Sequence, residues 1–433
     1  MENTRFQLAP QGRCTGQLDP PGDKSISHRA IMLASLAQGT SEIRGLLPSG
    51  DCLATLEAFR NMGVQVHWLA PDRLRVHGAG LHGLQAPDGT LDMGNSGTAM
   101  RLLAGILCAQ AFASTLSGDA SLNARPMQRI ADPLQAMGAD ITLSVAGTAP
   151  LEIRPCETLD AIDYVLPVAS AQVKSCLLLA GLYAKGRTCI TEPVRCRDHT
   201  ENMLHTFSCA IEREDRRVCL QGGGELAATE IDIPGDLSSA AFFIVGSLIS
   251  QDSHLTVKNV GINPTRTGAL EILRQMGAKI DIRNERNYGE EPVADLVVTS
   301  SSLHGIDIPQ NLVVDAIDEF PILFIAAACA KGITQLNGAK ELRTKESDRI
   351  HTMVSGLQTL GIRAEERPDG VTITGGEFGA GTVDSGGDHR VAMAFAMASL
   401  AASGTITVAD TGAVATSFPG FVESATQLGL LFE

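Results

Sequence analysis

The sequence predicts an α/β protein of two globules, each built from three copies of one strand-and-helix unit, with helices inside and sheets outside. Three observations lead there. First, six short runs rich in Gly, Ser, Asp or Lys lead straight into apolar helix-like stretches: GDKSISHRA from Gly22, GNSGTAMRL from Gly94, ASAQVKSCL from Ala169, GDLSSAAFF from Gly235, AIDEFPILF from Ala316 and GDHRVAMAF from Gly387. They recur at roughly 70 residues, too long for the common solenoid repeats and suited to one supersecondary unit used repeatedly. Second, stretches such as ILFIAAACA and VAMAFAMASLAA are apolar nearly all round. A helix of that kind must be enclosed, which inverts the usual layout of helices outside a parallel sheet. Third, each unit carries a second helical pattern with apolar residues at i, i+3, i+4 and i+7 that ends at a Gly: TLEAFRNMGVQV, ADPLQAMGADI, LEILRQMGAKI, MVSGLQTLGIRA and FVESATQLGLLF. The Gly stands where a helix C-terminus needs positive φ.

Alternating segments supply the strands. GTSEIRG, GRTCITE, GITQLNG and GTITVAD follow apolar helices, and RLRVHGAG, DLVVTS and GVTITGG fall between helices. A unit therefore reads strand–helix–strand–helix with extra strands. Pro and Gly break the pattern near Pro20–Pro21 and near Ile233–Gly235, which predicts two chain crossings. Residues 22–234 form one globule, and residues 1–21 with 235–433 form the other.

A chain of 433 residues exceeds what one core usually holds. The net charge of −15 argues against nucleic acid or anionic membrane as a partner, since both need a basic face, while leaving room for a small anionic ligand. Ten cysteines are scattered without a CxxC pair or Cys/His ligand spacing. This predicts buried thiols in a cytoplasmic protein rather than a disulfide frame or metal site. The start, MENTRFQLAP, lacks a basic-then-apolar leader. Apolar runs fall short of the roughly 18 residues of a membrane helix.

The chemistry is expected at the helix starts, whose free N–H groups attract anions. Asp23 or Ser25 is the candidate cap of the first helix, and Lys24 and Arg29 then lie near its positive end. Cations there are unfavourable without a ligand. The same conflict recurs at His389–Arg390 after Gly386–Gly387–Asp388. Gly94–Asn95–Ser96–Gly97–Thr98 is a turn that fits neither GxxxxGK[ST] nor GxGxxG, and Gly97 offers close backbone approach. KELRTKESDR places Lys345 and Arg349 one helical turn apart, able to grip one anion, with Glu346 beside them. Asp315, Asp318 and Glu319 precede an apolar helix, more acids than one cap needs; one of them is a candidate base. Arg125, Ser170, Gln172 and Arg197 say little individually. Each motif alone also reads as ordinary structure, a capped turn or a solvated charge.

Together GDKSISHRA, GNSGTAMRLL, ARPM, SAQVKS, RDHTEN, IPGDLSSAAFF, AIDEFP, ELRTKESDRI, GGDHRVAMA and SFPGF, in this order, resemble the 5-enolpyruvylshikimate-3-phosphate synthase family. The resemblance implies the enolpyruvyl transferase fold, a two-domain inverse α/β barrel of six βαβαββ units, three per domain, with the active site in the cleft between the domains. It implies transfer of the enolpyruvyl group of phosphoenolpyruvate to the 5-hydroxyl of shikimate 3-phosphate, through a tetrahedral intermediate that loses phosphate. That is a step of the shikimate pathway toward chorismate and aromatic amino acids, and the step that glyphosate inhibits. No cofactor and no metal are implied, and the partners are small molecules acting on a monomer.

By motif match, Lys24 touches both substrates and is a candidate acid/base. Ser25, Arg29, Ser170 and Gln172 hold shikimate 3-phosphate, with Arg197 near its phosphate and Lys345 in contact. Asn95, Gly97, Arg125, Gln172, Arg349 and Arg390 bind phosphoenolpyruvate. Asp318 accepts the 5-hydroxyl proton, and Glu346 helps protonate C3. The sequence departs from common family patterns at Thr416, where some members carry Lys, at Glu341, where many have Asn, and at Ala171, where many have Ser. Lys174 is a candidate replacement cation. Ala120, five residues before Arg125, replaces the Cys usual in the sister enzyme acting on UDP-N-acetylglucosamine. A non-catalytic anion binder on the same scaffold would not need both Asp318 and Glu346.

Overall fold

All six polar run-ins open into helices in the computed structural model, which describes residues 4–433. The helices are Lys24–Leu36, Gly97–Leu107, Ala171–Gly181, Leu237–Ile249, Phe320–Cys329 and His389–Ala398. Their starts are ordered by short polar side chains. Asp23, Ser96, Ser170, Asp236 and Asp388 each accept a backbone N–H of the following turn, which satisfies one of the orphan donors. Phe320–Cys329 differs: Glu319 stands at its N-cap position without a capping bond, and Pro321 occupies the first turn. Glu319 therefore does not take up the capping role open to the acids before this helix. The helix bodies are enclosed as their composition requires, with every residue from Leu237 to Leu248 and from His389 to Ala398 buried.

The second helices are Gly50–Asn61, Gln128–Ala136, Gly268–Gln275, Arg349–Thr359 and Phe421–Leu428. Gly63, Gly138, Gly277, Gly361 and Gly429 follow them with φ between +87° and +108°, the left-handed geometry in which a side chain is strained. A further helix of this type, His199–Thr206, is followed by Ser208 at φ +64° instead of a Gly, which is why the periodic reading passed over it.

The described residues form two compact units, Gly22–Ile233 with Asn287–Glu291, and residues 4–21 with Pro234–Arg286 and Pro292–Glu433. The sequence carried no sign that Asn287–Glu291, at the turn between strands Lys279–Tyr288 and Glu291–Thr299, would join the first of these. Each unit has its own apolar core, one around the helices Lys24–Leu36, Gly97–Leu107 and Ala171–Gly181, the other around the remaining three.

The described residues form six sheets, five of four strands and one of three. Three of the run-in helices cross between parallel strands of one sheet. Leu91–Asp92 and Ser114–Ser117 flank Gly97–Leu107, Asp163–Val165 and Arg187–Thr191 flank Ala171–Gly181, and Gly381–Asp384 and Ile406–Ala409 flank His389–Ala398. Antiparallel strands complete the sheets. The N-terminal residues add two strands to the unit containing the chain end: Phe6–Ala9 pairs with Ile406–Ala409, and Gly16–Leu18 with His254–Gly261.

One expectation is corrected. Cys189 and Cys219 are bridged, because antiparallel pairing sets them directly opposite each other. The other cysteines are free thiols, so the thiol-only pattern expected of the ten does not hold.

Helix contacts inside the cores are close. A Cβ on Gly105 would sit 2.2 Å from the Cys176 carbonyl oxygen of the neighbouring helix. Backbone cannot yield as a side chain can. Gly105→Ala is expected to destabilise this unit by about 1–3 kcal/mol, measured as a lower urea midpoint.

Candidate active site

In the unit Gly22–Ile233 the predicted residues gather at the starts of the three central helices. Lys24 is the first residue of its helix, with Nζ 3.1 Å from Asp51 Oδ2. Asp51 lies in the first turn of Gly50–Asn61, where an acid suits the dipole. Arg29, one turn further in, is buried. Its Nε donates to Thr200 Oγ1 (2.6 Å), one terminal nitrogen to the Ser25 carbonyl (2.8 Å) and the other to Ser175 Oγ (2.8 Å). These acceptors are neutral. Burial pushes the Arg29 pKa down to about 10, opposed by Glu201 and Asp23, and nearby Arg197 adds repulsion. Arg29 and Arg197 are thus brought near each other.

Ser170 caps the third helix through Val173 N (3.4 Å). Gln172, on its first turn, accepts from Arg101 (2.6 Å) and donates to Thr98 Oγ1 (3.1 Å), which ties this helix start to that of Gly97–Leu107. Arg125 donates to Asn95 Oδ1 (2.5 Å), and Asn95 donates to Asp119 (2.7 Å). A Cβ on Gly97 would lie 3.1 Å from an Arg101 nitrogen and 3.3 Å from one of Arg125. Gly97 therefore leaves space beside two guanidinium groups.

Arg101 and Asp51 were missed in the sequence. A signal existed for Arg101, the lone cation in the apolar helix GTAMRLLAGIL: buried there, it requires a partner. His28 was also passed over. Its Nδ1 meets Thr55 Oγ1 at 2.7 Å, and burial, with Lys24 and Arg29 nearby, lowers its pKa to about 3. Lys174 is not a replacement cation. It is buried between Glu192 (3.0 Å) and Glu201 (2.7 Å), and those carboxylates hold it charged against the cost of burial. Ala171 opens the third helix.

In the other unit, Asp318, Lys345, Glu346, Arg349 and Arg390 come together. Asp318 Oδ1 lies 3.4 Å from Lys345 Nζ and 3.5 Å from Arg349, and Arg390 donates to the Asp318 carbonyl (3.0 Å). Arg349 is 1% exposed, with Nε bonded to Asp388 (2.7 Å) and one terminal nitrogen to Glu346 (2.6 Å). Burial alone would raise the Asp388 pKa, but Arg349 and His389 together turn the net shift downward. His389, beside the cap, is buried.

Lys345 and Arg349 do not share a helix. Lys340–Thr344 is a 3₁₀ turn and the α-helix begins at Arg349, so the loop between them brings both onto Asp318. Nor is the segment a solvated face. Glu341 pairs with Lys345 at 2.7 Å. Thr416 turns back onto the Ala413 carbonyl.

A cavity lined by Asn202, Glu230, Asp232, Tyr288, Glu290 and Glu291 includes none of the predicted site residues, and its carboxylates repel anions.

The sequence profile of the family described as EPSP synthase (3-phosphoshikimate 1-carboxyvinyltransferase) matches residues 8–425. The chain belongs to this family. It is 59% identical over 428 residues to the 3-phosphoshikimate 1-carboxyvinyltransferase of Methylococcus capsulatus, covering 99% of this chain and 98% of that protein. It is 58% identical over 426 residues to the protein of that name from Alkalilimnicola ehrlichii, covering 98% and 96%. Among solved structures, EPSP synthase of Acinetobacter baumannii superposes with a TM-score of 0.90 at 50% identity, covering 99% of both chains. The enolpyruvyl transferase NikO of Streptomyces tendae, at 17% identity over 100% of this chain and 99% of that one, shares the fold with a TM-score of 0.81. The α/β architecture is thus that of this family.

The buried His28 makes stability pH-dependent. Its proton binds to the unfolded chain below about pH 6.5 and to the folded one only near pH 3. The unfolded state therefore binds more protons across that window, and stability falls as pH drops through it. Urea titrations should show a slope of up to about 1.4 kcal/mol per pH unit from this group, and His28→Gln should flatten it.

Proposed function

We propose that the chain transfers the enolpyruvyl group of phosphoenolpyruvate to the 5-hydroxyl of shikimate 3-phosphate and releases phosphate, the reaction named for its family. The observation that carries the reading is the Asp318 carboxylate set between Lys345 and Arg349, with Arg390 on its carbonyl. Cations on two sides keep a carboxylate ionised, as a base toward a hydroxyl must be.

Asp318 takes the 5-hydroxyl proton as that oxygen bonds to C2 of the enol, and Glu346, with Lys24 as the other candidate, supplies a proton to C3. The tetrahedral product then loses a C3 proton and expels phosphate, which restores the double bond in the transferred group. Arg29, Arg197, Ser25, Ser170, Gln172 and Lys345 hold shikimate 3-phosphate. Arg125, Asn95, Gly97, Gln172, Arg349 and Arg390 hold phosphoenolpyruvate. Lys24 reaches both substrates after leaving Asp51. The roles are divided between the two units. One chain carries every named residue, so the reaction needs no second copy, and a monomer is the proposed form. We read each sheet with its helices as one βαβαββ unit, three closing each domain into an inverse α/β barrel. The parallel strands around the central helices support this.

Phosphate release from phosphoenolpyruvate should depend on shikimate 3-phosphate and not on UDP-N-acetylglucosamine; release no greater than without acceptor would refute the reading. Asp318→Asn should lower kcat by roughly 10²–10⁴-fold with modest change in KM, and loss of binding with full turnover would remove Asp318 as base. Gly97→Ala places a methyl against Arg101 and Arg125. It should weaken phosphoenolpyruvate binding and, more strongly, inhibition by the longer glyphosate, and an unchanged inhibition constant would place Gly97 elsewhere.

A further inference from the structure

The run-in at Gly235 has no part in the substrate contacts above, yet its residues converge on the neighbour of Asp318. Glu319 is 1% exposed. Its Oε1 accepts from Ser238 Oγ and lies 3.5 Å from the Arg266 guanidinium. Ser238 Oγ itself accepts from Arg266. Asp236, which caps the helix through Ser238 N at 2.9 Å, stands 3.5 Å from the same guanidinium. A second cation, Arg390, faces Glu319 Oε1 at 4.0 Å. Glu319 Oε2 has no hydrogen-bond partner among the described residues.

All the anchoring thus falls on one oxygen, which sets the direction of the carboxylate. Burial in a medium of low polarity makes its charge felt strongly by Arg390. Arg390 donates to the Asp318 carbonyl at 3.0 Å. Asp318, whose carbonyl Arg390 already holds, carries a carboxylate of its own that could draw that guanidinium once Glu319 is neutralised. The catalytic base and the anion grip would then pair with each other instead of with substrate.

We propose that Glu319 is a positioning residue for the enol donor: Ser238 and Arg266 of the fourth repeat hold its carboxylate, and it holds Arg390 apart from the Asp318 carboxylate and open to the anionic donor. This rests on the assignment of Arg390 to phosphoenolpyruvate made above. The silent run-in then has a function, as the mount of a residue in the next repeat rather than as a ligand site.

Steady-state kinetics of the whole protein test this. Glu319→Gln keeps the shape and removes the charge. It should raise KM for phosphoenolpyruvate about tenfold, the scale of one charge-assisted contact, with KM for shikimate 3-phosphate within about twofold and a smaller fall in kcat. Ser238→Ala should move the same constant in the same direction by a smaller factor. Equal rises in both KM values, or an unchanged donor KM in a folded variant, would overturn the proposal.

Arg390→Lys separates the two levels. If it leaves the donor KM unchanged, the assignment of Arg390 fails. If it raises that KM and Glu319→Gln then adds its full factor on top, Arg390 binds the donor but Glu319 does not act through it. The expected result is that Glu319→Gln adds less than about twofold in the Arg390→Lys background. Should Glu319→Gln not fold, Ser238→Ala in the wild-type and Arg390→Lys backgrounds makes the same comparison: a smaller factor in the second background supports the proposal, and an equal factor overturns it.

Discussion

A helix buried on every side can meet polar partners only at its ends, and this constraint shapes the whole protein. Six central helices are enclosed along their length. Their first N–H groups cannot be satisfied within the helix, so each start draws in a capping side chain, a loop or a charge. Polar chemistry is concentrated there because the helix bodies leave it no other place. Sheets cover the outside, and their alternating strands hide one face and expose the other, as in Leu151–Arg154 and Gly381–Asp384.

The two units accommodate cations at these starts in different ways. In Gly22–Ile233, Arg29 is surrounded by hydroxyls and a carbonyl and is repelled by Arg197. The charge is buried and directed by neutral acceptors, with Glu201 and Asp23 near enough to offset part of the cost of burial. In the other unit, Arg349 is anchored on Asp388 and Glu346, and Asp318 lies between Arg349 and Lys345. Here the buried Arg349 and Asp388 hold each other charged. Breaking a buried pair by removing one partner typically costs about 3–5 kcal/mol, so the acids around Arg349 are structural supports as well as chemical groups. Lys174, buried between two glutamates, shows the same arrangement in the first unit.

Local patterns made much of this legible. The C-terminal glycines, the capping Asp and Ser residues and the apolar helix bodies are short-range features, and the chain adopts them as their chemistry requires. The third unit was harder to read because Ser208 takes the left-handed position that Gly fills elsewhere, leaving no Gly signal to mark the helix end. The pairing of Lys24 with Asp51 spans two helices whose sequences do not announce each other. Arg101 stood in plain view as a charge in an apolar helix, but its partner Gln172 lies in another repeat. The Cys189–Cys219 bridge depends on strand register, and shifting a strand by one residue would separate the two thiols.

The order of the amino acids therefore settled the repeat, the enclosed helices, the capped helix starts and, through ten ordered motifs, the family. Those depend on periodicity and on residues a few positions apart. Folding in three dimensions decided which charges meet: Asp318 with Lys345 and Arg349, Glu319 with Ser238 and Arg266, and Asn287–Glu291 with the unit that does not contain its flanking strands. Electrostatic partners act through space over a few ångströms, while the residues concerned stand up to 81 positions apart along the chain, and nothing in local sequence encodes such a distance.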